Sequence, residues 1–232
     1  MSPSAAQLAT LVAAWALYGS IHSLLASFTA KEFVARRWPA AAHAYRLTFN
    51  AVAALLLVPP AWLTFALRGP LLWEWSGIGA WLANAVALGA LAGFLWTTRH
   101  YDMDSFSGLA QWRTRTHSPA DQEGRLHLSP LHRIVRHPWY FLGLLILWTR
   151  DMDAARLTSS LCITAYLWIG SLLEERKLLA LHGARYARYR AAVAGLIPLP
   201  GRILTRAQAR ALLAEGDSPA GNKALRNGGG GV

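Results

Sequence analysis

The chain has 232 residues, of which 54% are hydrophobic and only 15% charged, against about a quarter charged in ordinary soluble domains. Its formal net charge is +11, but the basic residues are gathered in particular loops, which argues against a nucleic-acid binder and for membrane topology and anionic lipid. The single cysteine, Cys162, lies inside an apolar run, which excludes an internal disulfide framework and any CxxC metal or redox motif.

Residues 5–28 form the first long apolar run. It lacks a basic leader and is followed by positive charge, so it reads as a retained transmembrane helix and not a signal peptide. A polar loop with Lys31, Arg36, Arg37 and Arg46 follows. Residues 47–67 form the second span, which Pro59 and Pro60 are expected to kink or break. Residues 76–98, rich in Ala and Gly, form the third, a composition that suits close helix packing. Residues 99–136 are the longest polar stretch between spans, with six arginines and four acids. The fourth apolar run, 138–149, covers about 18 Å at 1.5 Å per residue, little more than half of a hydrocarbon core of about 30 Å. Residues 154–173 form the fifth span, and the helical pattern continues over 172–193. After Pro198 and Pro200 a short helix is expected over 207–215, then a glycine-rich tail over 216–232, expected to be flexible.

Loop by loop, the Lys and Arg counts are 0, 4, 1, 6, 2 and 10. That alternation predicts an all-α polytopic membrane helix bundle of about five transmembrane helices, with the N-terminus outside and the C-terminus cytoplasmic. Trp73, Trp75 and Trp148 then fall near the outer interface, and Trp96 and Trp139 near the inner one. The chain divides into an N-terminal three-span bundle (1–98), a catalytic region with a cytoplasmic loop, a helical hairpin and a post-membrane helix (99–200), and a tail (201–232). The expected location is a bacterial inner membrane, with the chemistry facing the cytoplasm.

Two stretches at that face carry chemistry. Arg136-His137-Pro138-Trp139-Tyr140 sits where a basic loop becomes an apolar helix. Pro138 suits the first helical position, and the helix N-terminus favours an anion such as a carboxylate or phosphate. A plain interfacial helix start is the competing reading. Glu174 and Glu175 close the fifth span, where acids are costly and usually have a task. If they face the bundle they suit a cationic ligand; otherwise they belong to a solvated charge cluster. An anion-favouring helix end opposite two carboxylates describes a site for a zwitterion or a sulfonium. His127, His132 and His137 recur every five residues, about 140° apart on a helix, so they would not share a face and no metal site is expected. Tyr186 and Tyr189, three apart, stack on one face of what reads as a basic interfacial helix.

Arg136-His137-Pro138-x-Tyr140, a helical hairpin, Glu174-Glu175, Gly183-x2-Tyr186-x2-Tyr189 and Pro198 together resemble the C-terminal half of the integral-membrane methyltransferases. These comprise isoprenylcysteine carboxyl methyltransferase-like and NnrU-like proteins, and the pattern is most similar to the methanethiol S-methyltransferases. His22-Ser23, Lys31, Tyr45-Arg46, Asn50 and Phe106–Gln111 resemble the same branch at the front. The resemblance implies an S-adenosyl-L-methionine site lined by Arg125, Leu126, His127, His132, Arg136, His137, Pro138, Tyr140 and Glu174, with Glu175 and His137 as candidate catalytic groups. His132 departs from a common tyrosine and His182 from an aromatic. Prenylcysteine enzymes of this kind carry a substrate-binding arginine one turn before the acids; here that turn is Gly170-Ser171.

The reading is therefore a membrane methyltransferase acting on a small hydrophobic or thiol substrate, methanethiol above all, with the lipid bilayer as partner and no nucleic acid. Three alternatives stand beside it: methylation of a prenylcysteine, isoprenoid or lipid; an NADPH-dependent membrane reductase, whose cofactor phosphates should demand more arginines; and a non-enzymatic NnrU-like accessory protein.

Overall fold

The computed structural model describes residues 1–115, 126 and 128–214; the tail from 215 onward lies outside the described residues. The first helix, α1 (Ala5–Ala26), opens on a reciprocal cap in which the Ser4 hydroxyl accepts from the Gln7 amide and the Gln7 side chain accepts from the Ser4 amide. Ser27 then starts α2 (Phe28–Arg37) by accepting from the Ala30 amide. The stretch read as a polar loop is thus largely helical: it has a good N-cap and no Gly or Pro before Pro39. A 3-10 turn (Pro39–Ala44) leads into α3 (Tyr45–Ala66). This helix runs unbroken through Pro59 and Pro60, as membrane helices allow when side chains and neighbours satisfy the freed carbonyls; the Thr64 hydroxyl donates to the Pro60 carbonyl at 2.7 Å.

A short strand, β1 (Leu71–Trp73), precedes α4 (Gly77–Thr98), α5 (Met103–Ser107) and α6 (Leu109–Thr114). A 3-10 turn (Pro130–Arg133) leads to α7 (Pro138–Trp148), β2 (Met152–Asp153), α8 (Ala154–Ala192) and α9 (Arg206–Ala214). The strands pair antiparallel, Leu71 with Asp153 and Trp73 with Met152. Helix α8 leaves helical geometry at Gly183 (φ 52°, ψ −133°) and then resumes. Helices α1, α4 and α8 and the helical stretch Pro39–Ala66 are long and apolar enough to cross a membrane. Helix α7, with 11 residues, is about 16 Å long. The protein is an all-α polytopic membrane helix bundle, with one two-stranded ribbon among the described residues.

The chain forms two compact units: Met1–Gln122 with Gly143–Leu167, and Glu123–Leu142 with Trp168–Val232, as far as these residues are described. In the first, polar side chains tie apolar helices together. Trp15 donates to the Ser159 hydroxyl at 2.9 Å, Thr64 and Ser159 share a 2.6 Å hydrogen bond, and Tyr166 meets His22 at 2.6 Å. Gly19 lets Tyr166 approach: a Cβ there would sit 2.9 Å from its ring. Arg46 and Asn50, both singled out by the resemblance, converge on the end of α5. Arg46 Nε donates to the Phe106 carbonyl at 2.9 Å, and Asn50 Nδ2 to the Ser107 carbonyl at 2.9 Å.

In the second unit the core is Leu126, Tyr186, Tyr189, Val193, Leu204 and Leu212. The two tyrosines, expected on an interfacial face, are instead 1% and 2% exposed. The Tyr189 hydroxyl donates to the His132 carbonyl at 2.8 Å. Arg133 and Leu204 exchange two 2.9 Å bonds, the Leu204 amide to the Arg133 carbonyl and Arg133 Nε to the Leu204 carbonyl.

Gly108 joins α5 to α6 with φ 93°, and a Cβ there would lie 2.6 Å from the Leu47 amide nitrogen. Gly108→Ala should therefore destabilise the protein by roughly 2 kcal/mol or more. Thermal unfolding in detergent checks this against Gly89→Ala, where a Cβ meets nothing within 4 Å and no loss is expected.

Candidate functional site

The second unit holds the stretch around His137 by its backbone first. Val135 forms a parallel bridge with Ala194. The Arg136 amide donates to the Ala194 carbonyl at 2.8 Å and the His137 amide to the Gly195 carbonyl at 3.4 Å. With the main chain pinned, two adjacent side chains reach the acids of α8. Arg136 Nε and Nη2 lie 2.8 and 2.6 Å from Glu175 Oε1, while its Nη1 donates to the Arg190 carbonyl at 2.9 Å and to the Val193 carbonyl. Arg190 Nε lies 2.9 Å from Glu175 Oε2. Glu175 is 3% exposed, and its buried charge is offset by two guanidiniums and an imidazole.

His137, 5% exposed, lies between the acids. Its Nε2 is 3.2 Å from Glu175 Oε1 and its Nδ1 3.2 Å from Glu174 Oε2. Tyr140, one turn into α7, stacks on the imidazole with 5.3 Å between centroids and 9° between planes, and its hydroxyl donates to Glu174 Oε2 at 3.3 Å. Glu174 differs from its neighbour because 48% of its side chain remains exposed. Adjacent helix positions point different ways, and here that sends one carboxylate inward and leaves the other at the surface.

Each imidazole nitrogen faces a carboxylate, an arrangement only the doubly protonated ring satisfies with two donors. Burial alone would lower the His137 pKa; hydrogen bonds to Glu174 and Glu175, and their charges, outweigh it and raise the value above the ordinary 6.5.

Arg136, His137, Tyr140, Glu174 and Glu175 thus come together as one network. Pro138 is buried and opens α7. His132 closes a cap, its Nδ1 accepting from the Ser129 amide at 3.1 Å and lying 2.9 Å from the Ser129 hydroxyl. Leu126 is part of the core. Arg125 and His127 lie outside the described residues. Sequence reasoning did not assign Arg190 or Gly195 to the site. Arg190 follows Glu175 across the break at Gly183, so no helical spacing connects them. Gly195 leaves room beside the guanidinium: a Cβ there would sit 3.3 Å from Arg136 Nη2, a tight contact.

Comparison with known proteins adds to this geometry. The chain is 34% identical over 185 residues to methanethiol S-methyltransferase 2 of Bradyrhizobium diazoefficiens, covering 78% of this chain and 70% of that protein. It is 31% identical over 151 residues to methanethiol S-methyltransferase of Mycobacterium tuberculosis (57% and 59%), and 36% identical over 77 residues to that of Pseudomonas deceptionensis (33% and 29%). No family model and no solved structure matches. The protein is a membrane-embedded methyltransferase. More narrowly, the chain belongs to the methanethiol S-methyltransferase family.

Because the folded His137 pKa is raised, its contribution to stability is complete below the unfolded value near 6.5 and is lost as pH rises through the folded value. The melting temperature of detergent-solubilised protein should fall as pH rises above about 6.5, and His137→Gln should flatten that decline. An unchanged slope in the variant would remove the imidazolium from the network.

Proposed function

We propose that this chain is an S-adenosyl-L-methionine-dependent membrane methyltransferase that converts a small thiol, methanethiol, to its methyl thioether. The observation that carries the reading is the division of labour between the acids: Glu175 is enclosed by Arg136, Arg190 and His137, while Glu174 keeps an open carboxylate beside His137 and Tyr140. Relatives that carry the methanethiol S-methyltransferase name supply the acceptor. The catalytic parts then fall within residues 99–200.

The residues present fit a sulfonium cofactor with an amino-acid end. Glu174 offers the negative charge that an ammonium or sulfonium requires, and the N-terminal end of α7 offers the partial positive charge that a carboxylate requires. When bound, the cofactor supplies a methyl group activated by positive sulfur. Arg136, Arg190 and Glu175 hold the wall rigid, His137 and Tyr140 orient Glu174, and Pro138 sets where α7 starts. Arg125, Leu126, His127 and His132 remain proposed contacts on the resemblance alone.

A thiol attacks as its thiolate and must first lose a proton. Among the two catalytic candidates, Glu175 is engaged by Arg136, Arg190 and His137, and His137 faces a carboxylate from each ring nitrogen, so we assign both to positioning and not to proton removal. The chain's contribution is orientation and exclusion of water. The turn before the acids favours a small acceptor, because Ser171 is buried and donates to the Trp168 carbonyl at 2.7 Å, with no cation at that turn. The reductase, accessory and prenylcysteine readings have no such support.

Glu174→Gln should weaken S-adenosyl-L-methionine binding by about tenfold or more, corresponding to about 1.4 kcal/mol, with little change in melting temperature. Glu175→Gln should destabilise the protein by about 3 kcal/mol, since it strands a buried guanidinium. Calorimetry and dimethyl sulfide production from methanethiol check both. Undiminished cofactor binding in Glu174→Gln would end the site assignment; cofactor binding without dimethyl sulfide would end the acceptor assignment.

We also infer that the N-terminus lies outside and this site faces the cytoplasm of a bacterial inner membrane, on the distribution of Lys and Arg among the loops. A cysteine placed at Ala214 in a Cys162→Ala background should react with an impermeant maleimide only after cells are opened. Labelling of intact cells would reverse the orientation.

A further inference from the structure

The turn between α7 and α8, in the first unit, carries charges that play no part in the network around Glu175. Arg150 Nη1 donates to Asn84 Oδ1 at 2.9 Å and its Nη2 to the Ala83 carbonyl at 3.4 Å. Its Nε is buried with no hydrogen-bond partner among the described residues. Arg156 Nη1 donates to the Asp151 carbonyl at 2.7 Å. The nearby acids are engaged by main-chain amides: Asp151 Oδ1 accepts from Trp75 at 3.0 Å, and Asp153 Oδ1 from Arg156 at 2.8 Å, where it caps α8. Among the described residues, neither guanidinium forms an ion pair with a carboxylate. A cleft of about 200 Å³ opens among Trp75, Asn84, Thr149, Arg150, Asp151 and Arg156.

The depth of this cleft makes its charge informative. Asn84 lies seven residues past the start of α4, about 10 Å along the helix, close to Trp81 and Leu82, which are 79% and 62% exposed on an apolar surface. Arginines at such a level are costly unless an anion or several acceptors meet them. The protein supplies neutral acceptors to some of the donors, and among the described residues no carboxylate pairs with either guanidinium. Two guanidiniums against one lining carboxylate favour an anion with several oxygens, and the planar fork of Arg matches phosphate best. Thr149 and Asn84 are further polar residues that line the cleft.

We propose that this cleft binds a phosphate group, carried by a phospholipid headgroup or present as free inorganic phosphate. The site is independent of the methyl-transfer reading. Native mass spectrometry of the full-length protein in detergent, titrated with phosphatidylglycerol and with diacylglycerol of the same chains, tests the lipid source. Thermal unfolding in inorganic phosphate against chloride at matched ionic strength tests the free anion. Phosphatidylglycerol should be retained and diacylglycerol not, and Arg150→Gln and Arg156→Gln should each weaken retention by about tenfold; Arg150→Lys should recover part of it. Stabilisation by phosphate that both Gln variants abolish, without lipid retention, assigns the free anion. Should Arg150→Gln fail to fold, Arg156→Gln alone decides. Retention and stabilisation that are absent, or unchanged in the folded Gln variants, would overturn the proposal and leave a water-filled cleft with a structural arginine.

Discussion

Glu175 carries its charge where almost no water reaches it, and the groups that make this tolerable organise the second unit. An isolated buried carboxylate is disfavoured by several kcal/mol, so partners must arrive with defined geometry. Arg136 comes from the loop before α7 and Arg190 from the helix beyond Gly183. Arg136 also donates to carbonyls of Arg190 and Val193. One guanidinium thereby fixes a carboxylate and the end of a helix at once. The parallel bridge between Val135 and Ala194 holds the main chain beside Arg136, and Gly195 leaves its guanidinium room.

From this anchored pair the network extends outward with decreasing burial. His137 shares Glu175 with Arg136 and hands the polarity on to Glu174, which Tyr140 also contacts. Two neighbouring acids therefore have opposite fates: one is neutralised by the protein, and the other keeps much of its surface exposed. In the proposed function, the oriented Glu174 carboxylate beside the start of α7 would meet a zwitterionic sulfonium, with its geometry fixed by His137 and Tyr140.

The first unit solves a different problem. Its helices expose large apolar side chains to lipid, so hydrophobic burial does little to hold them together. Their contacts rest on close approach, as at Gly19, and on hydrogen bonds across helices, as between Trp15, Thr64 and Ser159. Arg46 and Asn50 do the same at a helix end, holding carbonyls of Phe106 and Ser107. The same economy of partners around Arg150 leaves its buried Nε without a hydrogen-bond partner among the described residues.

The sequence alone determined the membrane-helix class, because long apolar runs and low charge have few other physical outcomes. It also pointed to Arg136–Tyr140 and Glu174-Glu175 together, through costly charges at apolar boundaries and through a shared motif, and the fold brings them into one hydrogen-bond network. It did not determine which acid points inward, since adjacent residues on a helix diverge by an angle that only the packed helix orients. Nor did it reveal Arg190 or Gly195, which meet Arg136 through the break at Gly183 and a backbone bridge with no periodic signature. Tyr186 and Tyr189 have a spacing that fits a lipid-facing stripe and a core equally well; the tertiary fold placed them inside, because Leu126, Val193, Leu204 and Leu212 come from separate segments to cover them.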